Sequence, residues 1–345
     1  MFAEKYRPRH LSEIIGHSII VQRLQKFVIE KDKGEIPHAM FQGPPGTGKT
    51  TVALALINDL FGENSDYAYI ELNASDERRI QDIREKVKGF ANTKPLVSIP
   101  FKVCILDEAD NMTPDSMQAL RRIMEEFASN LRFIIIANQP DKIIEPLRSR
   151  CSVFKFPKLS PNEIKEFLSR ICEGEDLVIT PDGYDVIIEH SKGDLRKAAN
   201  ILQSCAETDK PIDRTIVESI VSEPSIESIQ KILSSALNGN FLQAQNDLQK
   251  LVYDQGLTGQ SVISKIHENL ISFAFPENVK AEISILLGEC AVNTYMGFND
   301  QILLSSFLAK LSKIKFNGLP EAQKESAVIP PENSKPSWFD PKKRV

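Results

Sequence analysis

Short, dense apolar runs separated by longer amphipathic stretches extend from residue 36 to residue 156. HAMFQ, YAYIEL, FKVCILD, LRFIIIAN and SVFKF are rich in β-branched and aromatic residues, and each is short enough for a buried strand. Between them, Leu54, Ile57, Leu60 and Phe61 recur at helical spacing, as do Met117, Leu120, Ile123, Met124 and Phe127. Strand alternating with helix predicts a mostly parallel sheet covered on both faces. After Pro157 the strand-like runs stop. SPNEIKEFLSRIC opens on a capping serine followed by proline, TPDGYDVIIEH repeats that start signal, and Gly193 with Asp194 punctuates the entry to LRKAANILQSC. The pattern stays helical from about residue 224 to residue 316. Four segments are therefore expected: an α/β core over 1–158, a small helical unit over 159–222, a third, all-helical domain over 223–317 and a flexible tail over 318–345. The tail holds five of the 20 prolines and little apolar periodicity; its Trp338 and Phe339 precede a basic end.

A chain of 345 residues exceeds one ordinary core, which agrees with several domains, and 41% hydrophobic with 26% charged residues excludes disorder throughout. The net charge of −5 supplies no global attraction for nucleic acid, so any phosphate contact has to come from a local basic patch. The five cysteines lie far apart without a CxxC pair, which predicts reduced, intracellular thiols. His10, His17, His38, His190 and His267 lack ligand spacing and are read as ordinary surface or core residues, leaving no metal site beyond one carried by a nucleotide. No stretch approaches the roughly 18 uninterrupted apolar residues of a membrane span, and the charged opening MFAEKYRPRH lacks the apolar run of a secretory leader. A soluble protein inside the cell is expected.

The strongest chemical signal is GPPGTGKT, comprising Gly43, Pro44, Pro45, Gly46, Thr47, Gly48, Lys49 and Thr50, with Thr51 following. It lies between a strand-like and a helix-like segment. Glycines let such a loop close around a polyphosphate, backbone N–H groups and the helix N-terminus supply positive potential, Lys49 reaches the terminal phosphates, and Thr50 is placed for Mg²⁺. The second signal is VCILDEAD, an apolar strand ending in acids: Asp107 is assigned to the metal shell and Glu108 to the water that attacks the γ-phosphate. Asn138, closing LRFIIIAN, stands where a side chain can meet that phosphate or water. Arg196, in GDLRKA at a helix start, can reach phosphate from the second unit.

EKYRP (4–8), LNASDER (72–78), LDEAD (106–110), QALRR (118–122), KIIEPLRSRC (142–151) and GDLRKAANILQ (193–203) together resemble the small subunit of replication factor C, the AAA+ clamp loader of archaea and eukaryotes. The resemblance implies an α/β P-loop AAA+ core with a parallel sheet, a helical lid and an all-helical collar for oligomerisation. It implies ATP and Mg as ligands, and Asn138 and Arg196 as first and second sensors. Arg150 matches the arginine finger that a subunit supplies in trans to ATP bound on its neighbour. Tyr6 and Pro8 match the segment packing near the adenine. Implied partners are a clamp-loader large subunit and other small subunits in a heteropentamer, a PCNA-type sliding clamp and primer–template DNA, with no membrane; the implied location is an archaeal-type cytoplasm, or a nucleus in a eukaryote. DNA contacts fall on Arg84 and Lys88, one helical turn apart, and on Arg121 and Arg122, following duplex phosphates without reading bases.

Three features depart from the family pattern. Arg79 stands where the family usually has glycine, the tryptophan commonly preceding EKYRP is missing, and the tail has no counterpart. The expected function is an ATPase subunit that opens the clamp and loads it onto primed DNA. The rivals are a nucleotide-binding scaffold without hydrolysis, another AAA+ DNA motor such as a branch-migration helicase, and, more distantly, a small-molecule kinase.

Overall fold

The computed structural model describes residues 1–30, 36–74, 80–93, 99–208, 210–221, 226–255 and 258–314, with backbone alone for 80–84, 253–255 and 295. Arg79, Trp338 and Phe339, and the side chain of Arg84, lie outside the described residues. The chain forms two compact units, Met1–Val221 and Ser222–Val345.

The first unit is built on five strands: β1 (His38–Gln42), β2 (Tyr69–Asn73), β3 (Lys102–Asp107), β4 (Leu131–Ala137) and β5 (Cys151–Lys155), in the order β2-β3-β4-β1-β5. All four pairings are parallel. One expected strand is shorter than its apolar run. Tyr67 and Ala68 of YAYIEL belong to the short helix Ser65–Ala68, and the strand starts only at Tyr69. Period-two alternation sorts the side chains. Ala39, Phe41, Val103, Ile105, Ile134 and Ile136 join the helices Ser18–Ile29 and Lys49–Phe61 in one buried layer. Met40, Cys104, Leu106, Phe133, Ile135 and Ala137 pack with Val87 and Ala91 of Ile80–Asn92 and with Met117, Leu120, Ile123 and Met124 of Pro114–Glu126 in the other. Each large side chain fully withdrawn from water contributes about 2 kcal/mol, so both faces are fixed and the strand register with them. A parallel sheet places its loops for chemistry at the strands' carboxyl ends, and the loops after β1, β3 and β4 meet there.

Four helices complete this unit: Pro161–Glu175, Pro181–Ser191, Leu195–Ala206 and Arg214–Ile220. The sequence signals mark their starts. Ser160 and Glu163 form a reciprocal capping box, and the side chains of Thr180, Asp194 and Asp213 each accept a backbone N–H at the next three entries. Their core, with Phe167, Leu168, Ile171, Ile187 and Leu202, also takes up Phe2, Ala3 and Tyr6. The second unit contains the helices Ile226–Leu237, Phe241–Gln255, Gly259–Asn269, Glu277–Tyr295 and Asp300–Leu311 around a core that includes Leu233, Ala236, Ile283 and Leu311. Among the described residues no helix is long and apolar enough to cross a membrane.

Candidate nucleotide site

Residues 43–48 carry the chain from β1 into the helix Lys49–Phe61, whose N-cap is Gly48. Gly46 (φ +69°) and Gly48 (φ +88°) hold left-handed backbone that a side chain would strain. At Gly46 space is lacking as well, because a Cβ would stand 1.8 Å from Oδ1 of Asp194. The loop therefore curls tightly, and Pro45, Gly46, Thr47, Gly48, Lys49, Thr50 and Thr51 line one side of a cavity.

Lys49 is 6% exposed, and its ammonium donates to the carbonyl oxygens of Gly43 (2.8 Å) and Pro44 (2.6 Å) and to Oδ1 of Asn138 (2.9 Å). All three of its protons are thereby used. Burial pulls its pKa down to about 8; the Asp107 and Asp110 carboxylates oppose that shift, while the Arg196 guanidinium adds to it. Gly43 and Pro44 thus serve the site through their carbonyls and do not line the cavity.

Thr50 Oγ1 donates to Oδ2 of Asp107 at 2.7 Å, and Oδ1 of Asp107 accepts the backbone N–H of Glu108 at 2.7 Å. The hydroxyl of the loop and the acid at the end of β3 are therefore held as a pair. Glu108 has left-handed backbone (φ 53°), uncommon for a non-glycine residue, and its Oε2 accepts from the amide of Asn111 at 3.2 Å. Asp110 is nearly buried, and its two oxygens accept the N–H groups of Asn138 and Gln139, both at 3.1 Å. It ties the turn after β3 to the end of β4 and fixes where Asn138 stands.

The cavity brings together most of the residues singled out in the sequence. Tyr6, Pro8, residues 45–51, Asp107, Glu108, Asn138 and Arg196 all line it. The Tyr6 hydroxyl donates to Glu175 at 2.8 Å, which anchors the N-terminal segment to the helix Pro161–Glu175. Arg196 is exposed on the first turn of Leu195–Ala206. Arg150 is not among the lining residues. It stands exposed just before β5, donating to Pro146 O (2.8 Å) and paired with Glu125 (2.6 Å). Of the basic residues assigned to DNA, Lys88 is paired with Glu126 at 2.9 Å, Arg122 is exposed, and Arg121 keeps its Nε buried without a hydrogen-bond partner. Several lining or supporting groups were not assigned from the sequence, and two of them shape the site through hydrogen bonds. His17, read as an ordinary histidine, lines the cavity and bonds Thr47 O through Nε2 at 2.9 Å, and Asp110 holds the Asn138 backbone. In the sequence only the glycine before His17, and the place of Asp110 as the last acid of LDEAD, could have marked them.

Residues 39–160 match the family model described as ATPase family associated with various cellular activities (AAA), and residues 224–310 match that of the replication factor C C-terminal domain. Among relatives, the replication factor C small subunit of Methanococcus vannielii is 42% identical over 90% of this chain and 98% of its own, and that of Archaeoglobus fulgidus is 41% identical over 91% and 98%. The corresponding protein of Staphylothermus marinus is 45% identical over 90% of this chain and 94% of its own. Among solved structures, the Thermotoga maritima RuvB Holliday junction branch migration motor aligns with a TM-score of 0.55 over 79% of this chain and 89% of its own, at 18% identity, a likeness of fold alone. The α/β P-loop AAA+ core followed by helical domains, read from the sequence, is thus the fold class found, and the nucleotide-binding core is an ATPase domain. The relatives match about nine-tenths of this chain and nearly all of their own, so it is the whole arrangement and not the phosphate loop alone that is shared: the chain belongs to the replication factor C small subunit family.

Proposed function

We propose that this chain is the ATP-hydrolysing small subunit of a clamp loader, which opens a ring-shaped sliding clamp and places it on primer–template DNA. The observation that carries the reading is the convergence of Lys49, Thr50, Asp107 and Asn138, from three loops, on one cavity beside a glycine loop, where they form two hydrogen-bonded pairs, Lys49 with Asn138 and Thr50 with Asp107. That donor and acceptor set fits a nucleoside triphosphate with a hard divalent cation: an ammonium, loop N–H groups, a hydroxyl and a carboxylate.

In this reading the N–H groups of residues 46–50 and the Lys49 ammonium hold the β- and γ-phosphates, while Tyr6 and Pro8 flank the base. Thr50 would hold Mg²⁺ through its hydroxyl and Asp107 mostly through water. The cation, when bound, neutralises charge that develops on the phosphoryl oxygens. To reach phosphate, Lys49 exchanges its bonds to the Gly43 and Pro44 carbonyls and keeps Asn138 as neighbour. Glu108 leaves Asn111 and takes a proton from the water that attacks the γ-phosphorus as the bond to the bridging oxygen breaks. Asn138 orients that water or the γ-phosphate, and Arg196 contacts phosphate from the lid. Arg150 acts on the neighbouring subunit's nucleotide, and its place outside the cavity supports that division.

Arg84, Lys88, Arg121 and Arg122 follow duplex phosphates, with Lys88 trading Glu126 for the backbone. The second unit serves as collar, and its exposed Ile285, Met296, Phe298 and Ile302 suit burial against other subunits of a heteropentamer. The core, lid, collar and tail are taken over 1–158, 159–222, 223–317 and 318–345. Sequence relatives favour this reading over a branch-migration motor, since the likeness to RuvB is one of fold. The test is the ATPase rate of the purified chain with and without a large subunit, a PCNA-type ring and primed DNA. Stimulation by ring and DNA together is expected; a rate indifferent to all three overturns the assignment.

A further inference from the structure

Two carbonyl oxygens of the phosphate loop are pinned from outside the loop. The Leu195 N–H, at the first position of the lid helix Leu195–Ala206, donates to Gly46 O at 3.0 Å, and His17 Nε2 bonds Thr47 O at 2.9 Å. A carbonyl only accepts, so the His17 ring carries its proton on Nε2. The ring is also placed by an edge-on contact with Phe156, with centroids 5.0 Å apart, and by left-handed backbone (φ 52°) that aims it at the loop. Among the described residues no peptide bond is cis. In a trans peptide unit C=O and N–H point opposite ways, so fixing the Gly46 and Thr47 carbonyls towards their donors turns the N–H groups of Thr47 and Gly48 away from them. Among the described residues neither N–H has a protein acceptor, and Thr47 is 1% exposed. The N–H of buried Thr47 and that of half-buried Gly48 are left to whatever enters the cavity, water or, with greater gain, an anion.

We propose that His17 is a positioning residue of the nucleotide site, which together with the Leu195 N–H fixes two peptide planes of the phosphate loop so that the Thr47 and Gly48 N–H groups face the phosphates. The proposal rests on the reading of residues 43–51 as the nucleotide loop. Neutral imidazole suits the task, and burial lowers the His17 pKa, against the opposing pull of the Thr47 carbonyl and the Glu163 carboxylate. The pairing also makes the loop sensitive to the lid. Asp194, which caps the lid helix, stands against Gly46, so a lid that shifts releases the Gly46 carbonyl and frees that peptide plane to turn.

The test compares His17→Gln with His17→Met in the full-length chain, by titration with a fluorescent ATP analogue in Mg²⁺ and by thermal melting. The two replacements have the same length and the same cost at a left-handed position and differ in the N–H donor. Gln is expected to bind within twofold of the native chain, and Met about fivefold more weakly at an equal melting temperature. Equal affinities for the two overturn the proposal. Should the Met variant fail to fold, Leu195→Pro against Leu195→Ala serves. Proline is tolerated at the first helical position and removes only the N–H, so about fivefold weaker binding than Ala is expected, and none overturns the role of the lid. Ring ¹⁵N spectra of the native chain have to show the Nε2–H tautomer at His17; the Nδ1–H form overturns the positioning role while leaving the nucleotide reading intact. A native chain that binds no nucleotide, with Lys49→Ala making no difference, brings down the nucleotide reading itself.

Discussion

Two cations of the first unit stand in opposite circumstances. Lys49 is 6% exposed and gives all three protons to fixed oxygens, two of them on its own loop; Arg150 has a side chain 37% exposed and is held by one carbonyl and by Glu125, itself 49% exposed. A buried ammonium stripped of partners costs several kcal/mol, whereas an exposed ion pair is worth about 0–1 kcal/mol. The nucleotide corner is therefore built in advance, its ammonium already in place with two loop carbonyls where phosphate oxygens would stand, and the Arg150 corner is parked and easily released. That is what the proposed roles require. A group serving the chain's own nucleotide gains from preorganisation, while a group serving a neighbour has to detach from its own chain without much loss.

The comparison breaks most readily at Arg150. In the assembled loader, Arg150→Ala is expected to slow hydrolysis at the adjacent site on the order of a thousandfold while the substituted chain binds nucleotide as before. Loss of binding by the substituted chain itself would place Arg150 in its own site. Lys49→Ala is next, weakening nucleotide binding by the same chain on the order of a hundredfold, because the phosphates lose the desolvated ammonium that pairs with them. Equilibrium binding to the two variants separates the corners: only the lysine change is expected to register.

The Lys49 pKa of about 8 sharpens the contrast in a pH series. Only the ammonium pairs with phosphate, so nucleotide affinity should fall by about tenfold per pH unit above 8 until the pKa of the bound state is reached. Stability of the nucleotide-free chain moves the other way. The unfolded lysine keeps its proton up to its ordinary value of 10.5 and the folded one releases it near 8, so between those values the unfolded state binds more protons and stability rises with pH. Lys49→Arg, which stays charged, should lose both slopes; a native affinity flat from pH 8 to 9.5 would mean that the ammonium is less desolvated than its burial implies.

What could be read from the sequence follows the range of the forces involved. Strand runs and helix spacing are local, and all five strands fall on the apolar runs, with β2 starting two residues late because Tyr67 and Ala68 finish a helical turn. Capping at Ser160, Thr180 and Asp194 was local too. The phosphate loop and the first two acids of LDEAD, Asp107 and Glu108, stood out because chemistry dictates residue type at fixed spacing. The rest depends on partners far along the chain. His17 meets Thr47 30 residues on, Asp110 meets Asn138 28 residues on, and Lys88 meets Glu126 38 residues on. No spacing rule reaches across such gaps, so His17 looked like any other histidine, and the pairing of Lys88, read as a DNA contact, with Glu126 went unseen.

The smallest expected effect lies at Glu125, and its sign matters more than its size. Glu125 sits in the helix Pro114–Glu126 and accepts from Arg150 Nη2 at 2.6 Å, while Arg150 Nη1 is held independently by Pro146 O at 2.8 Å. Glu125→Gln keeps the shape and removes the charge. Because the pair is exposed, stability should change by less than about 0.5 kcal/mol, within the usual range for a surface substitution. Hydrolysis at the adjacent site in the assembled loader should then stay level or rise by up to about threefold, since the guanidinium has less to give up before it swings to the neighbour. Salt should imitate the substitution in the native protein and have little further effect in the variant, because screening acts on the same exposed pair. A tenfold fall in turnover would show instead that Glu125 aims Arg150 at its target, and both corners would then have to be counted as built in advance.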